Sequence, residues 1–250
     1  MLIEVNPKLV SFDLETQGFS SSDVDDFFRP LGSVTAKVKG RYSVQCYNEA
    51  LDEAFADYCE RGDRSPQEVL RDTDLFVFHV PFAKMANTAV RRLLSKHLGM
   101  IAQEADAFLE PRGFFSALEV TGDVGNMYTG AIYLNLIATL HQQYQIHGKD
   151  IVGKKILFSS YGSGNTMVVF EGRVMENAPE VIEKWKADDF LNHFKNETFG
   201  EYNEWLERTY SQDFAVKYSD RIPHKVSPGS FYLGAIRDDG YREYFFKGRS

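Results

Sequence analysis

The chain has 250 residues, with 28 Lys and Arg against 36 Asp and Glu, a formal charge of −8. Hydrophobic residues make up 43% and charged residues 26%, the balance of a globular protein and too apolar for a disordered one. The acidic excess argues against non-specific nucleic-acid binding, and two cysteines, Cys46 and Cys59, are too few for a disulfide framework and fit a reducing compartment.

The first segment with a clear character is polar. Thr16 to Arg29 (TQGFSSSDVDDFFR) reads as a surface loop, closed by a turn at Pro30 and Gly32. Val44, Tyr47, Leu51, Ala54, Phe55 and Tyr58 then recur at spacings of three and four, which predicts a helix with one buried stripe and Ser43 as its N-cap. The apolar run from Asp74 to Val80 is too short for a helix and is bounded by Asp and Pro, so it predicts a buried strand. Met85, Ala89, Leu93, Leu94 and Leu98 predict a helix stopping at Gly99. A further helix is expected from about Met127 to Tyr144, its apolar run interrupted by Asn135 and Thr139.

Lys155 to Tyr161 and Met167 to Phe170 flank Gly162-Ser163-Gly164 and predict a hairpin. Ala178 to Tyr210 carries Glu, Lys, Trp and Phe at helical spacing. Ser230 to Ile236 and Tyr241 to Phe246 predict a second hairpin around Asp239-Gly240. Strands alternating with helices give an α/β fold, and with no long linker residues 1–250 read as one domain. No apolar stretch reaches the ~18–20 residues needed to cross a bilayer, and MLIEVNPKLV lacks a signal-peptide layout, so a cytoplasmic protein is expected.

Six histidines occur, and no pair has metal-ligand spacing, so no metal site is expected. His193 and His224 sit among surface-type residues, and His97 lies near a helix C-terminus. His79 stands apart, because it ends a buried strand just before Pro81, where α/β proteins place ligands. It is either a core histidine bonded to a carbonyl or a group aimed at a substrate. Lys84 follows at the start of a helix. Asn126 precedes the next helix, where it can cap or offer its amide to a carbonyl oxygen. Ser163 is bracketed by glycines in a turn that is either a plain hairpin or a place for backbone N–H groups to approach a substrate. Cys46 and Cys59 fall inside the first amphipathic helix and read as structural.

Together these segments resemble one family, 3-hydroxy-3-methylglutaryl-CoA synthase. The resemblance runs from VDDFFRPLG (24–32) and VKGRYSVQCYNEALDEAFADY (38–58) through DLFVFHVPFAKM (74–85) and GNMYTGAIYLNLIATL (125–140). It continues through ILFSSYGSGNTMVVFEGRV (156–174) to SFYLGAIRDDGYREYF (230–245), and looks closer to bacterial mevalonate-pathway enzymes than to animal ones. It implies a thiolase-like fold, two similar halves layered αβαβα with mixed sheets. It also implies condensation of acetyl-CoA with acetoacetyl-CoA, without a further cofactor: a cysteine takes the acetyl group, a glutamate removes a methyl proton, and a histidine polarises the acetoacetyl carbonyl.

By this resemblance His79 is the polarising histidine, Lys84 meets the CoA phosphates, Asn126 holds the acyl group and Ser163 lies beside the thioester. Where family members often carry another lysine shortly after Lys84, this chain has Asn87 and Thr88. The resemblance covers the C-terminal half of the family. The catalytic cysteine and glutamate belong to the N-terminal half, and neither Cys46 nor Cys59 matches the nucleophile. The expectation is therefore a partner chain supplying that half, a homo- or hetero-oligomer, and no condensing activity from this chain alone. A truncated piece of a synthase, a polyketide β-branching synthase of the same family that uses an acyl-carrier protein, and a non-catalytic subunit of an acyltransferase complex are the alternatives.

Overall fold

A computed structural model describes residues 3–26, 37–191, 194, 196–210, 226–237 and 241–248. The expected turns at Pro30–Gly32 and Asp239–Gly240, and His193 and His224, lie outside the described residues. Contacts group the chain into two compact units, Met1–His193 and Phe194–Ser250, where the sequence was read as one domain.

The first unit is built on β2 (Leu75–Phe78), four residues with no exposed side chain. Its alternation sends Phe76 and Phe78 into one core and Leu75 and Val77 into another, so helices must cover both faces of the sheet. β2 pairs in parallel with β3 (Lys155–Gly162), Leu75 opposite Ile156 and Phe78 opposite Ser159. β3 turns back into β4 (Thr166–Val174) as the expected hairpin, and β4 pairs antiparallel with β1 (Val10–Ser21). The sheet order is β1-β4-β3-β2, a mixed sheet as the α/β expectation requires.

One face carries α1 (Gly40–Arg61), α2 (Pro66–Asp72), α3 (Ala83–Leu98), α4 (Ala102–Leu109) and α5 (Phe114–Val124). The other carries α6 (Gly130–His147) and α7 (Ala178–Glu183), followed by α8 (Ala187–Leu191). The stripe predicted for α1 is buried, with Tyr47, Ala54 and Phe55 fully enclosed. α3 ends at Gly99, which takes the left-handed conformation (φ +69°) that terminates helices. Among the described residues no helix is long and apolar enough to cross a membrane.

Three sequence expectations change. Thr16 to Ser21 belongs to β1 rather than to a loop. It is an edge strand; in its kink between Phe12 and Gln17 the Asp13 carboxylate accepts from the amides of Glu15 and Thr16, while the buried Ser20 hydroxyl donates to Glu53 (2.7 Å). Ser43 is not the N-cap of α1, which begins at Gly40 after Lys39. Its hydroxyl donates instead to Asp26. α2, α4 and α5 were not anticipated, although Ser65-Pro66-Gln67-Glu68 is a capping box: Ser65 Oγ accepts from the Glu68 amide, and the Glu68 carboxylate accepts from the Ser65 amide.

The second unit holds α9 (Phe199–Tyr210) and the predicted hairpin of β5 (Ser230–Ile236) and β6 (Arg242–Lys247). The Phe245 ring lies where a side chain at Gly234 would stand, beside the irregularity between Leu233 and Ala235.

α1 crosses β1 at Gly18, where a Cβ would overlap the Ala54 carbonyl oxygen and the Tyr58 amide nitrogen. Both are backbone atoms inside a helix and cannot step aside. Gly18→Ala should destabilise the chain by about 1–3 kcal/mol or more, read as a lower denaturation midpoint in urea. A midpoint equal to that of the unsubstituted chain would mean that α1 and β1 are not in this close contact.

Candidate active site

β2 ends one residue before His79, whose amide still donates to the Ser159 carbonyl (2.8 Å) and so holds the end of β2 on β3. The His79 carbonyl accepts from the Tyr47 hydroxyl at 3.0 Å. The main chain of His79 is therefore held on both sides, while its side chain lines a cleft of about 230 Å³. Pro81 and Phe82 then break the ladder before α3 begins.

Asn126 reaches the same cleft from the connection between α5 and α6. Its amide oxygen accepts from the Tyr128 amide at 2.8 Å, and Tyr128 takes a left-handed conformation (φ +54°) that bulky residues rarely adopt. Asn126 therefore does not cap α6, which begins four residues later, and its amide nitrogen is left for another acceptor. Ser163 enters from the β3–β4 turn and is exposed at the cleft wall with Gly162. Thus the end of a strand, an interhelical loop and a hairpin turn bring together three residues that the sequence separates by 47 and 37 positions.

Lys84 is not among them. It lies in the first turn of α3, exposed, and lines a separate groove with Asn87, Glu119 and Asp123 between α3 and α5. Its neighbour Met85 does line the cleft.

Sequence reasoning missed three cleft residues. Asp26, 6% exposed, receives hydrogen bonds from the Tyr161 hydroxyl (2.6 Å) and the Ser43 hydroxyl (3.2 Å), and all three line the cleft. The only trace of this in the sequence was an acidic run in a segment read as loop. Burial, and then the Asp26 carboxylate, push the Tyr161 hydroxyl above its ordinary pKa, so it stays protonated as a donor.

His79 is 8% exposed, and burial pushes its pKa down to about 4. At neutral pH it is an uncharged imidazole with one N–H to donate. The cysteines are of another kind. Both are buried; burial raises the Cys46 thiol, with partial offset from the Tyr42 hydroxyl, and pushes Cys59 up to about 11. Neither is poised as a thiolate nucleophile.

A family model described as "Hydroxymethylglutaryl-coenzyme A synthase C terminal" matches residues 10–110 and 96–247. The chain belongs to this family. It is similar to the hydroxymethylglutaryl-CoA synthase of Enterococcus faecalis, 26% identical over 91% of this chain and 56% of that protein. The enzyme of the same name from Haloferax volcanii is 28% identical over 81% of this chain and 52% of that protein. Among solved structures, MvaS in complex with 3-hydroxy-3-methylglutaryl coenzyme A superimposes with a TM-score of 0.77 at 29% identity, over 97% of this chain and 59% of that one. The HMG synthase of the curacin biosynthetic pathway shares the fold, with a TM-score of 0.82 at 21% identity. The thiolase-like fold of these synthases is thus the fold of this chain, which spans about half the length of the curated relatives it matches.

Two outcomes follow. Incubated alone with acetyl-CoA, the chain should show no acetyl adduct by mass spectrometry, and native Cys59 should react with iodoacetamide at pH 7.5 on the order of a hundredfold more slowly than the unfolded chain. An adduct on Cys46 or Cys59 would overturn the structural reading of the thiols.

The second concerns acid. Because the folded pKa of His79 lies below the unfolded value of 6.5, the unfolded chain binds more protons between pH 6.5 and about 4. Stability should therefore fall as pH drops through that window, by about 3 kcal/mol from this residue. His79→Gln should flatten that part of the urea-midpoint profile. A variant profile as steep as the original would place the acid sensitivity elsewhere.

Proposed function

We propose that this chain is the C-terminal part of a hydroxymethylglutaryl-CoA synthase, condensing acetyl-CoA with acetoacetyl-CoA to 3-hydroxy-3-methylglutaryl-CoA. The observation that carries the reading is the convergence of His79, Asn126 and Ser163 on one cleft. The roles follow from their chemistry. Attack on the acetoacetyl ketone turns its oxygen into an alkoxide, and the neutral His79 N–H is suited to donate to that oxygen as charge develops. Its low pKa keeps it from drifting into a mixture of charge states at neutral pH. Asn126 offers its amide N–H to an acyl carbonyl, and the exposed Ser163 turn supplies donors beside the thioester.

The reaction runs on the two thioesters with no further cofactor. Lys84 is the candidate contact for the CoA phosphates, with Glu119 and Asp123 in the same groove weakening its field. The nucleophilic cysteine and the basic glutamate are assigned to the N-terminal half of the enzyme, in a partner chain or in further sequence of this one, because both thiols here are buried and protonated. An apolar groove of about 400 Å³ on the α6 side, walled by Leu9, Phe12, Tyr133, Ile137 and Trp185, is a surface for that half to cover. The assembled enzyme is placed in the cytoplasm.

The test is co-expression of the chain with an N-terminal half from the family, followed by assay of acetoacetyl-CoA consumption. The assembly should turn over and the chain alone should not; no turnover from a well-formed assembly would reject the reading. In that assembly His79→Ala should leave acetylation of the partner cysteine intact and slow condensation ~10²–10³-fold, the usual loss for one oxyanion donor. Asn126→Ala should add a rise in KM for acetoacetyl-CoA, since its contact exists before the transition state. Wild-type condensation by His79→Ala would make His79 a core residue.

A further inference from the structure

Among the described residues Asp26, a buried carboxylate, receives hydrogen bonds only from hydroxyls and pairs with no cation, an arrangement that calls for a reason because desolvating a carboxylate is costly. Asp26 stands where three separate pieces of chain meet: the segment after β1, α1 through Ser43, and the end of β3 through Tyr161. That segment is itself tied to the β3–β4 turn. The Asn165 amide donates to the Ser22 carbonyl (2.8 Å), the Ser22 hydroxyl to the Asn165 side chain (2.8 Å), and the Val24 amide to the Gly164 carbonyl (3.1 Å).

From Asp26 a continuous line of contacts leads to His79. The Tyr161 hydroxyl is held by the carboxylate, and its ring lies 4.9 Å from the ring of Tyr47. Tyr47 is fully buried and donates its hydroxyl to the His79 carbonyl at 3.0 Å. A tyrosine ring free to rotate at position 161 would loosen the surface that Tyr47 leans on, and Tyr47 is one of the two groups fixing the His79 main chain.

We propose that Asp26 is a positioning residue of the condensing site, acting through Tyr161 and Tyr47 to hold His79 at the angle from which its imidazole meets the acceptor carbonyl. This rests on the synthase reading above. Asp26 itself performs no proton transfer in this account. One of its oxygens takes both hydroxyl protons as hydrogen bonds, and its work is geometric.

The experiment has two arms. In the assembled enzyme, Tyr161→Phe, Asp26→Ala and the double variant are compared for kcat and KM. Each single change should lower kcat of condensation roughly 2- to 30-fold, the span for coupling through packed neighbours, with KM for acetoacetyl-CoA within about twofold. The double variant should be no worse than the poorer single one, because both cut the same line. Asp26→Asn retains an oxygen that can accept both hydroxyls and should keep kcat within about threefold of wild type, a rescue that simple loss of packing would not predict.

The second arm uses the full chain alone and reads the His79 imidazole signals by NMR, assigned with His79→Gln. Tyr161→Phe, which keeps the ring and removes only the hydroxyl that Asp26 holds, should shift those signals. A shifted His79 signal with no turnover from any assembly would reject the synthase reading and leave the positioning network standing. Active assemblies in which Tyr161→Phe changes neither kcat nor the His79 signals would overturn the proposal. So would an Asp26→Asn variant that is inactive while Tyr161→Phe is not, since the carboxylate would then be acting directly on substrate.

Discussion

The parallel pairing of β2 with β3 governs this molecule. A parallel neighbour cannot be reached by a tight turn, so the chain must leave β2, cross over and return. Residues 79–154 make that crossing, and they carry α3, α4, α5 and α6. The pairing requires the crossing, and the alternating side chains of β2, which enter two cores, require helices on both faces. It also sets His79 at the point where the crossing begins, bonded through its amide to Ser159 and next to the hairpin that follows β3. The candidate site lies at the C-terminal end of the parallel pair, where open α/β sheets receive ligands.

The same burial that makes the core gives the site its chemistry. His79 is enclosed enough to remain a neutral donor, yet still lines an open cleft. The thiols are buried and burial pushes both up, so neither is poised as a thiolate. Tyr161 is kept protonated by burial and by Asp26 and serves as a fixed donor. Dielectric environment, rather than residue type alone, separates the groups suited to react from those that only pack.

Much of the framework was legible in the residues. Each of α1, α3 and α6 showed a helical repeat of apolar positions, and β2 showed a short run between Asp74 and Pro81. What misled was local polarity. β1 reads as loop because its polar residues show no apolar alternation and the partner that lets Ser20 be buried, Glu53, is 33 residues away, and Ser43 reads as a cap because its role depends on Asp26, 17 residues earlier. His79, Asn126 and Ser163 could be singled out because each sits at the end of an element, beside Pro or Gly. Asp26 and Tyr161 could not, because nothing near them in sequence marks a partner.

The sequence by itself determined the α/β character, the family and three of the residues that line the cleft, because periodicity, element ends and short motifs are properties of neighbouring residues. Only the tertiary structure decided that Lys84 lies in a different groove from His79, and that Asp26, Ser43 and Tyr161 close one network. It also decided that α1 can approach β1 only over Gly18. Those outcomes turn on distances between residues far apart along the chain, and such distances are fixed by how helices pack on a sheet, which no local pattern encodes.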